Sequence, residues 1–473
     1  MVKKKKKSLK RRKRRKKQVR KNYKKIWKLG DKEVGTRPFD IDREGKLVVR
    51  QGNYQYKIFD LVKRFGTSLE IIFPFIIEER LNEIHEIFAY YLKQNKYKGK
   101  FRFHYPMKVN QNKEFVLPII SEGGHIEVGS ANELWLIKRL WEQDQFSSRI
   151  RVICNGPKTK RYLSLIEELK GKGLEIIPII ENFLELDYLR GYRGDLGVRV
   201  DPDLKIKSHW DKRVDQFGFS FQDLLKIGKI RNLKVLHYHA SSQIQRLEDL
   251  VGSARLVMKY YIKLKKINPS LDTLDIGGGM PVAYEKKKIF SLESAVKGIV
   301  KTLKIQAERA GIPHPNMVVE WGRWVVAPAQ ITIFKILAEK KINRGVAKKW
   351  YFVDGSFMND LLDTWAIKQR WHAIPINHLH AKTFERVWLA GSSCDSDDKY
   401  TAGGSYVRLP KRTEVENGDD LYVAFFDTGA YQDALASNHC LLSNPAQLSA
   451  DSGLITVTRT RETAEDVGKR FGW

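Results

Sequence analysis

The chain is poor in cysteine. Cys154, Cys394 and Cys440 are its three thiols in 473 residues, an odd and sparse set that argues against a disulfide framework and for a reducing compartment, so the cytoplasm is the expected location. It also lacks any run of about 18 apolar residues, which excludes a membrane-spanning helix, and the N-terminus has no apolar segment of the kind a secretory signal carries. Metal-ligand spacing is missing as well: there is no Cys-x-x-Cys, and His237-Tyr238-His239 has no third ligand beside it, so no metal site is expected from the residues. Acid is absent from the first 28 residues, which hold 18 Lys or Arg and so account for most of the formal charge of +31. A block such as Lys10 to Lys17 repels itself and buries nothing, so residues 1–28 read as a disordered tail. Its functional reading is contact with RNA or another polyanion, weakening steeply with salt; its bland reading is a solvated leader with no partner.

What is present is a regular alternation. With 42% hydrophobic residues the chain can fill one large core and a smaller one. Residues 29–66 hold two half-buried strand patterns, around Phe39–Ile41 and Leu47–Arg50, which are expected to join a β domain. Apolar runs of strand length then recur at 101–107, 125–128, 149–154, 174–179, 196–200, 233–239, 272–276 and 316–320. Most are separated by helical periods; Ser130 with Glu133 reads as a capping box, and Leu292, Ala295, Val296, Ile299 and Leu303 make one apolar face. Eight strand and helix alternations define an α/β fold, a (β/α)8 TIM-type barrel over residues 67–330. Beyond residue 331 strand-like runs take over, which gives a C-terminal all-β domain over 331–473.

The last residues of the eight expected strands are Lys108, Glu127, Asn155, Glu181, Arg199, His239, Gly277-Gly278-Gly279 and Glu320. All are polar or glycine, whereas the strands behind them are largely apolar, and barrel enzymes place their chemistry at strand C-termini. Lys108 can form a Schiff base with an aldehyde, as a half-buried strand-end lysine loses its proton more readily than one in water. Glu320 can face a pyridine nitrogen and keep it protonated, and the glycine run lets backbone approach a phosphate and offer it N–H groups. Arg323 adds charge to the same phosphate. Of the two histidines, His239 is nearer the strand end and better placed to stack on a ring. Each has an ordinary counterpart: a solvated lysine, a surface carboxylate paired with an arginine, a tight turn, a hydrogen-bonded core histidine. In the β domain, Cys394 sits among Asp395, Asp397 and Asp398, where a thiol can act as a general acid.

Taken together the segments resemble the fold-type III pyridoxal phosphate decarboxylases, and within them the biosynthetic arginine decarboxylase family. Tyr105-Pro106-Met107-Lys108-Val109-Asn110-Gln111 is similar to that family's Tyr-Pro-Ile-Lys-Val-Asn-Gln, and Glu127-Val128-Gly129-Ser130-Ala131 to its Glu-Ala-Gly-Ser-Lys. Ile153-Cys154-Asn155-Gly156, Leu274 to Gly279, Asp363-Thr364-Trp365-Ala366-Ile367, Cys394-Asp395-Ser396-Asp397 and Gly429-Ala430-Tyr431-Gln432 follow in the same order. The resemblance implies pyridoxal 5'-phosphate bound by Lys108, His239 stacked on its ring, Glu320 at its nitrogen, and Ser242, Gly277, Gly278, Gly279, Gly322, Arg323 and Tyr431 around its phosphate. It implies a homodimer with shared active sites, with Cys394 as proton donor and Asp395 as a substrate-side acid, both reaching in from the partner subunit. Asp363 and Asp397 become candidates for the cationic far end of a small basic amino acid, a role the local excess of carboxylates suits. The resemblance also implies Mg2+ as an accessory ion. Departures are local: Ala240-Ser241-Ser242-Gln243 stands for Leu-Gly-Ser-Gln, Gln216-Phe217-Gly218 for Lys-Phe-Gly, and Glu320-Trp321-Gly322-Arg323 for Glu-Ser-Gly-Arg, while the stretch from Gln330 to Phe352 is too short for the family's helical insertion.

The expected activity is therefore decarboxylation of L-arginine to agmatine and CO2 in polyamine, including spermidine, biosynthesis. Decarboxylation of ornithine, lysine or diaminopimelate would leave the fold and cofactor intact. A non-catalytic relative that binds a partner is the alternative from another class, and the presence of both Lys108 and Cys394 speaks against it.

Overall fold

The structure, a computed structural model, describes residues 23–473 except 144–149, 205, 207–215, 344, 402–405 and 416–418. The basic tail expected over 1–28 therefore lies outside the described residues as far as residue 22. Tyr23 to Ile26, by contrast, are helical, and Trp27 is buried, with its Nε1 donating to Leu379 O at 3.1 Å and its ring edge-on to Phe384. Tyr23–Lys28 thus leave the expected tail, because an aromatic pair interrupts the run of charge and can be buried where lysine alone cannot. No helix among the described residues is long and apolar enough to cross a membrane.

Two compact units divide the chain, one of residues 76–282 and 289–327, the other of the described residues up to 75 with 283–288 and 328–473. The first is the barrel. Its strands are Phe101–Pro106, His125–Val128, Arg151–Cys154, Glu175–Ile180, Leu196–Asp201, Leu233–His237, Thr273–Asp275 and Asn316–Val319. All pairings are parallel, and the eighth strand closes on the first with Val319 opposite Phe103. Each run lies within about two residues of the position its apolar pattern sets. The interior is plugged by Ile153, Ile177, Ile179, Val235 and Val318, each worth about 1.5–3 kcal/mol for removal from water. Helix Leu292–Arg309 buries Leu292, Ala295, Val296, Ile299 and Leu303, the face its periodicity defines. At Ala131–Glu142 the capping box is half made: Ser130 Oγ accepts from Glu133 N at 3.2 Å, but the Glu133 carboxylate accepts from Gly129 N at 2.7 Å.

The second unit is built on strand Gln330–Lys341. Tyr422–Phe426 pairs antiparallel with Ile331–Lys335, and Leu69–Ile72 pairs with Gln330–Ile333 on the other edge. Leu69–Ile72 is fully buried and also takes Ala446–Asp451 as a parallel neighbour. Residues 67–75 therefore belong to the β unit, where the sequence had placed the start of the barrel; a four-residue buried strand carries no alternation to reveal its partner. The early strands Phe39–Ile41, Leu47–Gln51 and Tyr54–Lys57 form a small antiparallel sheet of their own in this unit, linked to Ile376 by the Leu47 N–H at 2.8 Å. Gln330–Lys341 turns directly into antiparallel Lys349–Val353, with Lys341 opposite Lys349, so no helical insertion stands between them.

Candidate active site

Lys108 lies in a single turn of 3-10 helix, Met107–Val109, directly after the first barrel strand. The turn is clamped by the buried Tyr105 hydroxyl, which donates to Asn110 O at 2.9 Å. Lys108 Nζ donates to Glu127 Oε2 at 3.3 Å, and the lysine side chain is 53% exposed while Glu127 is 1% exposed. The ammonium is thus aimed at a buried carboxylate on the second strand, which an ordinary solvated lysine would not be.

Across the barrel mouth, Glu320 follows the eighth strand and accepts from Asn155 Nδ2 at 3.3 Å. His237 Nδ1 lies 3.8 Å from Glu320 Oε1 and 2.9 Å from Asp275 Oδ2, the latter contact being off the line of a hydrogen bond. All three side chains are buried. Burial first, then the neighbouring Asp275 charge, pushes the Glu320 carboxyl well above the ordinary range, and the Lys108 ammonium pulls it back. Burial raises Asp275 to about 7, again against Lys108, and lowers His237 to about 4. The charge of Lys108 therefore bears on both Glu320 and Asp275.

This pocket is rich in buried acid and short of buried cation. Glu127 Oε1 and Asn155 Oδ1 are buried with no hydrogen-bond partner among the described residues, and unsatisfied polar atoms of that kind mark a place built for another group. A protonated pyridine nitrogen would supply the missing positive charge beside Glu320, so the residues present fit pyridoxal phosphate. His237, Asp275 and Glu320 also form the described cluster whose ligand atoms lie close enough for a metal ion, but a histidine between two acids suits a ring nitrogen better than Mg2+, which prefers an all-oxygen shell.

The glycine run does less than the sequence proposed. Gly277 N donates to Asp275 Oδ1 at 2.9 Å and Gly278 N to His239 Nδ1 at 3.1 Å, so two of its three amides are taken within the protein and not held out to an anion. What glycine provides is close approach: at Gly277, with φ +67°, a Cβ would stand 2.4 Å from Tyr238 O. At Gly322 a Cβ would stand 2.7 Å from Pro106 Cγ and 3.0 Å from Val109 Cγ2, so this glycine lets the Glu320 loop close on the Lys108 turn. Ser242 is half-buried, and beside it the Ser241 hydroxyl is fully buried with no partner among the described residues. Arg323 is half-buried in the short helix Gly322–Val326.

His239 differs from expectation in its element. The sixth strand ends at His237, so the two histidines do not share a strand face; His237 points into the carboxylate cluster and His239 lies in the following loop. By accepting from Gly278, Nδ1 of His239 leaves its proton on Nε2. His237 and Asp275 are the functional candidates that the residue-by-residue reading left without a role. Their signal was present, since both close a barrel strand, but nearness to the expected strand end ranked His239 above His237, and the strand ends two residues earlier than expected.

In the β unit, Cys394 is exposed and its Sγ lies 3.6 Å from Cys440 Sγ, while Asp395 Oδ2 lies 3.2 Å from His439 Nε2. Asp363 is buried, and Gln432, which follows Tyr431, donates to its Oδ2 at 3.0 Å and accepts its N–H at 3.1 Å. Tyr431 thus sits on a turn, at φ +69°, whose next residue is tied to Asp363. Asp397 is 55% exposed and 3.7 Å from Lys399. Two further carboxylates of this region are taken up within the protein. Buried Asp398 accepts from Phe357 N and Ser393 N, at 2.7 and 3.0 Å, and Asp360, pushed up to about 7 by burial, accepts from Ser356 N at 2.9 Å. His439 and Cys440 carry no local motif and were found only through the fold.

A parallel barrel whose mouth sets a lysine against buried acids, joined in one chain to a β unit, defines a pyridoxal-phosphate-dependent decarboxylase of the TIM-barrel type. The chain belongs to that family: the model of the pyridoxal-dependent decarboxylase pyridoxal-binding domain matches residues 80–327, just over half of its length. A protein named biosynthetic arginine decarboxylase, from Prochlorococcus marinus (strain MIT 9215), is 24% identical over 90% of this chain and 87% of its own. Among solved structures, diaminopimelate decarboxylase from M. jannaschii superposes with a TM-score of 0.77 at 22% identity, covering 92% of this chain and 98% of that one. The biosynthetic arginine decarboxylase from Campylobacter jejuni superposes at 0.75 with 21% identity, covering 90% and 89%. Both structures share the fold.

Proposed function

We propose that the protein decarboxylates L-arginine to agmatine and CO2, feeding polyamine synthesis. The observation that carries the substrate is the match, over nine-tenths of the chain, to relatives named for that reaction. The acids Asp363 and Asp395 support it, as a guanidinium needs carboxylates at the far end of the pocket. When bound, pyridoxal phosphate supplies an aldehyde and a protonated ring that takes up the electron pair left by departing CO2. Lys108 Nζ is the amine for that aldehyde, oriented by Glu127 at 3.3 Å. Glu320, oriented by Asn155, holds a carboxyl able to share a proton with the ring nitrogen, and buried His237 and Asp275 pack beside it. His239, its Nδ1 fixed by Gly278, presents its ring face to the cofactor. Ser242, Gly279, Arg323 and Tyr431 hold the phosphate. Cys394 Sγ carries the proton that replaces the carboxylate on the substrate α-carbon; the Cys440 sulfur beside it pushes that thiol up from its ordinary value and keeps the proton in place. Asp395 and Asp397 face the substrate side.

The enzyme acts as a homodimer in the cytoplasm, each site taking Cys394 and Asp395 from the partner subunit; the exposure of Cys394 in a single chain supports this. The basic tail contacts RNA or another polyanion outside the reaction, and Mg2+ is at most an accessory that chelation would remove without loss of the cofactor. Purified enzyme given carboxyl-labelled arginine, ornithine, lysine and diaminopimelate in turn is expected to release labelled CO2 fastest from arginine. Release from another of the four, with none from arginine, would overturn the substrate and leave the family assignment standing.

A further inference from the structure

The three cysteines divide into one sealed thiol and one exposed pair. Cys154 is fully buried in the third barrel strand, and burial pushes its thiol up to about 12, so it is chemically inert. Cys394 and Cys440 are both exposed, 46 residues apart in sequence, with their sulfurs 3.6 Å apart. Both sit on anchored turns. The Cys394 loop is held by Asp398, whose carboxylate accepts from Ser393 N, and by Ser392 Oγ, which donates to Val353 O at 2.7 Å. The Cys440 turn is held by buried Asn359, whose Nδ2 donates to His439 O at 3.0 Å and whose Oδ1 accepts from His439 N and Ser437 Oγ at 3.1 and 2.9 Å. Next to the two cysteines, Asp395, which follows Cys394, and His439, which precedes Cys440, lie 3.2 Å apart through Oδ2 and Nε2. Cys440 and Leu441 take the left-handed backbone at φ +57° and +54°, a conformation that non-glycine residues adopt only when their surroundings fix it. Two loops distant in sequence are thus pinned side by side, and the result is a thiol beside a thiol.

We propose that Cys394 and Cys440 are a redox modification site: they close a reversible disulfide that takes the proton donor out of the reaction. The sulfurs, now 3.6 Å apart, must approach to about 2.05 Å. The oxidant is a small-molecule disulfide. One protein thiolate attacks it and expels a thiolate, and the second protein thiol, losing its proton, attacks the mixed disulfide and expels the other; the protein gives up two electrons and two protons and the oxidant leaves as two thiols. The effect on turnover rests on the proton-donor reading of Cys394 given above, whereas the disulfide itself does not.

The test uses the full chain loaded with pyridoxal phosphate and treated with diamide, a diazene oxidant that takes up the same two electrons and two protons as it becomes a hydrazine. Free thiols in the denatured protein should fall from three to one, and proteolysis should yield a peptide pair joined through Cys394 and Cys440. Turnover should fall by about 10²-fold, the contribution of a positioned general acid, and return with dithiothreitol. Cys440→Ser, whatever its own turnover, should lose none of it to diamide. Absence of the 394–440 linked peptide from oxidised wild type, a measurement that needs no variant to fold, would overturn the proposal, as would inactivation of Cys440→Ser at the wild-type rate. A linked peptide with unchanged turnover would overturn the switch and, separately, the role of Cys394 as proton donor.

Discussion

The buried acids opposite Lys108 make the cofactor-free protein sensitive to pH in a direction that can be worked out. Asp275 holds its proton to about pH 7 in the folded chain against an ordinary value of 3.8. The raised pKa means that the folded state binds more protons than the unfolded one between those values, so stability is lost as pH rises through 7. Integrated from pH 6 to pH 8, that single group removes about 1.4 kcal/mol. His237 works the other way: lowered to about 4 from 6.5, it adds about 0.8 kcal/mol over the same range, because the unfolded histidine gives up its proton there. The wild-type slope is therefore a difference, and Glu320, also raised, steepens it in the sense of Asp275. Asp275→Asn isolates the acid. Asparagine keeps an acceptor for Gly277 N, now 2.9 Å from Oδ1, and can donate toward His237 Nδ1, 2.9 Å from the other oxygen. Urea unfolding of cofactor-free wild type and variant at pH 6, 7 and 8 should show the variant gaining about 1.4 kcal/mol on the wild type between the end points, with weakened pyridoxal phosphate binding as the functional loss. A variant whose stability tracks the wild type in parallel across this range would show that Asp275 is ionised in the folded chain and that the cluster lacks no cation.

The β unit offers a second buried charge. Lys286 and Asp427, 1% and 2% exposed and 2.5 Å apart, tie residues 283–288 to the turn that leads to Tyr431; Lys286→Met should lower stability by about 3–5 kcal/mol in denaturant, and Lys286→Met with Asp427→Leu should recover most of it. Full recovery of the single variant alone would sink this. Mixing inactive Lys108→Ala and Cys394→Ser chains should restore about a quarter of wild-type turnover if subunits share sites, since half the dimers then hold one intact site of two; no recovery after subunit exchange would refute sharing. Gly322→Ala forces a methyl to 2.7 Å from Pro106, so overpacking of about 1–3 kcal/mol should appear as lost cofactor affinity, read by the fluorescence of bound pyridoxal phosphate.

How far the sequence reaches depends on which physical rule each feature obeys. The barrel strands were legible because strands covered on both faces read as uninterrupted apolar runs, ended by polar residues that face the mouth. The same rule exposed Lys108, Glu127, Asn155 and Glu320, whose chemistry is set by their place at a strand end. What the sequence did not resolve were several assignments that the folded neighbours decide. Leu69–Ile72 looks like any short apolar stretch until Gln330–Ile333 and Ala446–Ser449 are beside it. Gly277 and Gly278 advertise open backbone, and only the fold reveals that Asp275 and His239 already hold their amides. Asp360 and Asp398 were indistinguishable from Asp395 and Asp397 as charges; burial separates them, because a buried carboxylate whose oxygens are taken by backbone N–H groups is no longer available to a substrate. The loop pair that carries Cys394 and Cys440 is the extreme case, since each thiol alone is unremarkable in composition and the contact between them exists only in three dimensions. The chain therefore divides by range: local pattern sets where Lys108 stands, and long-range packing decides which of many similar acids and thiols stay accessible.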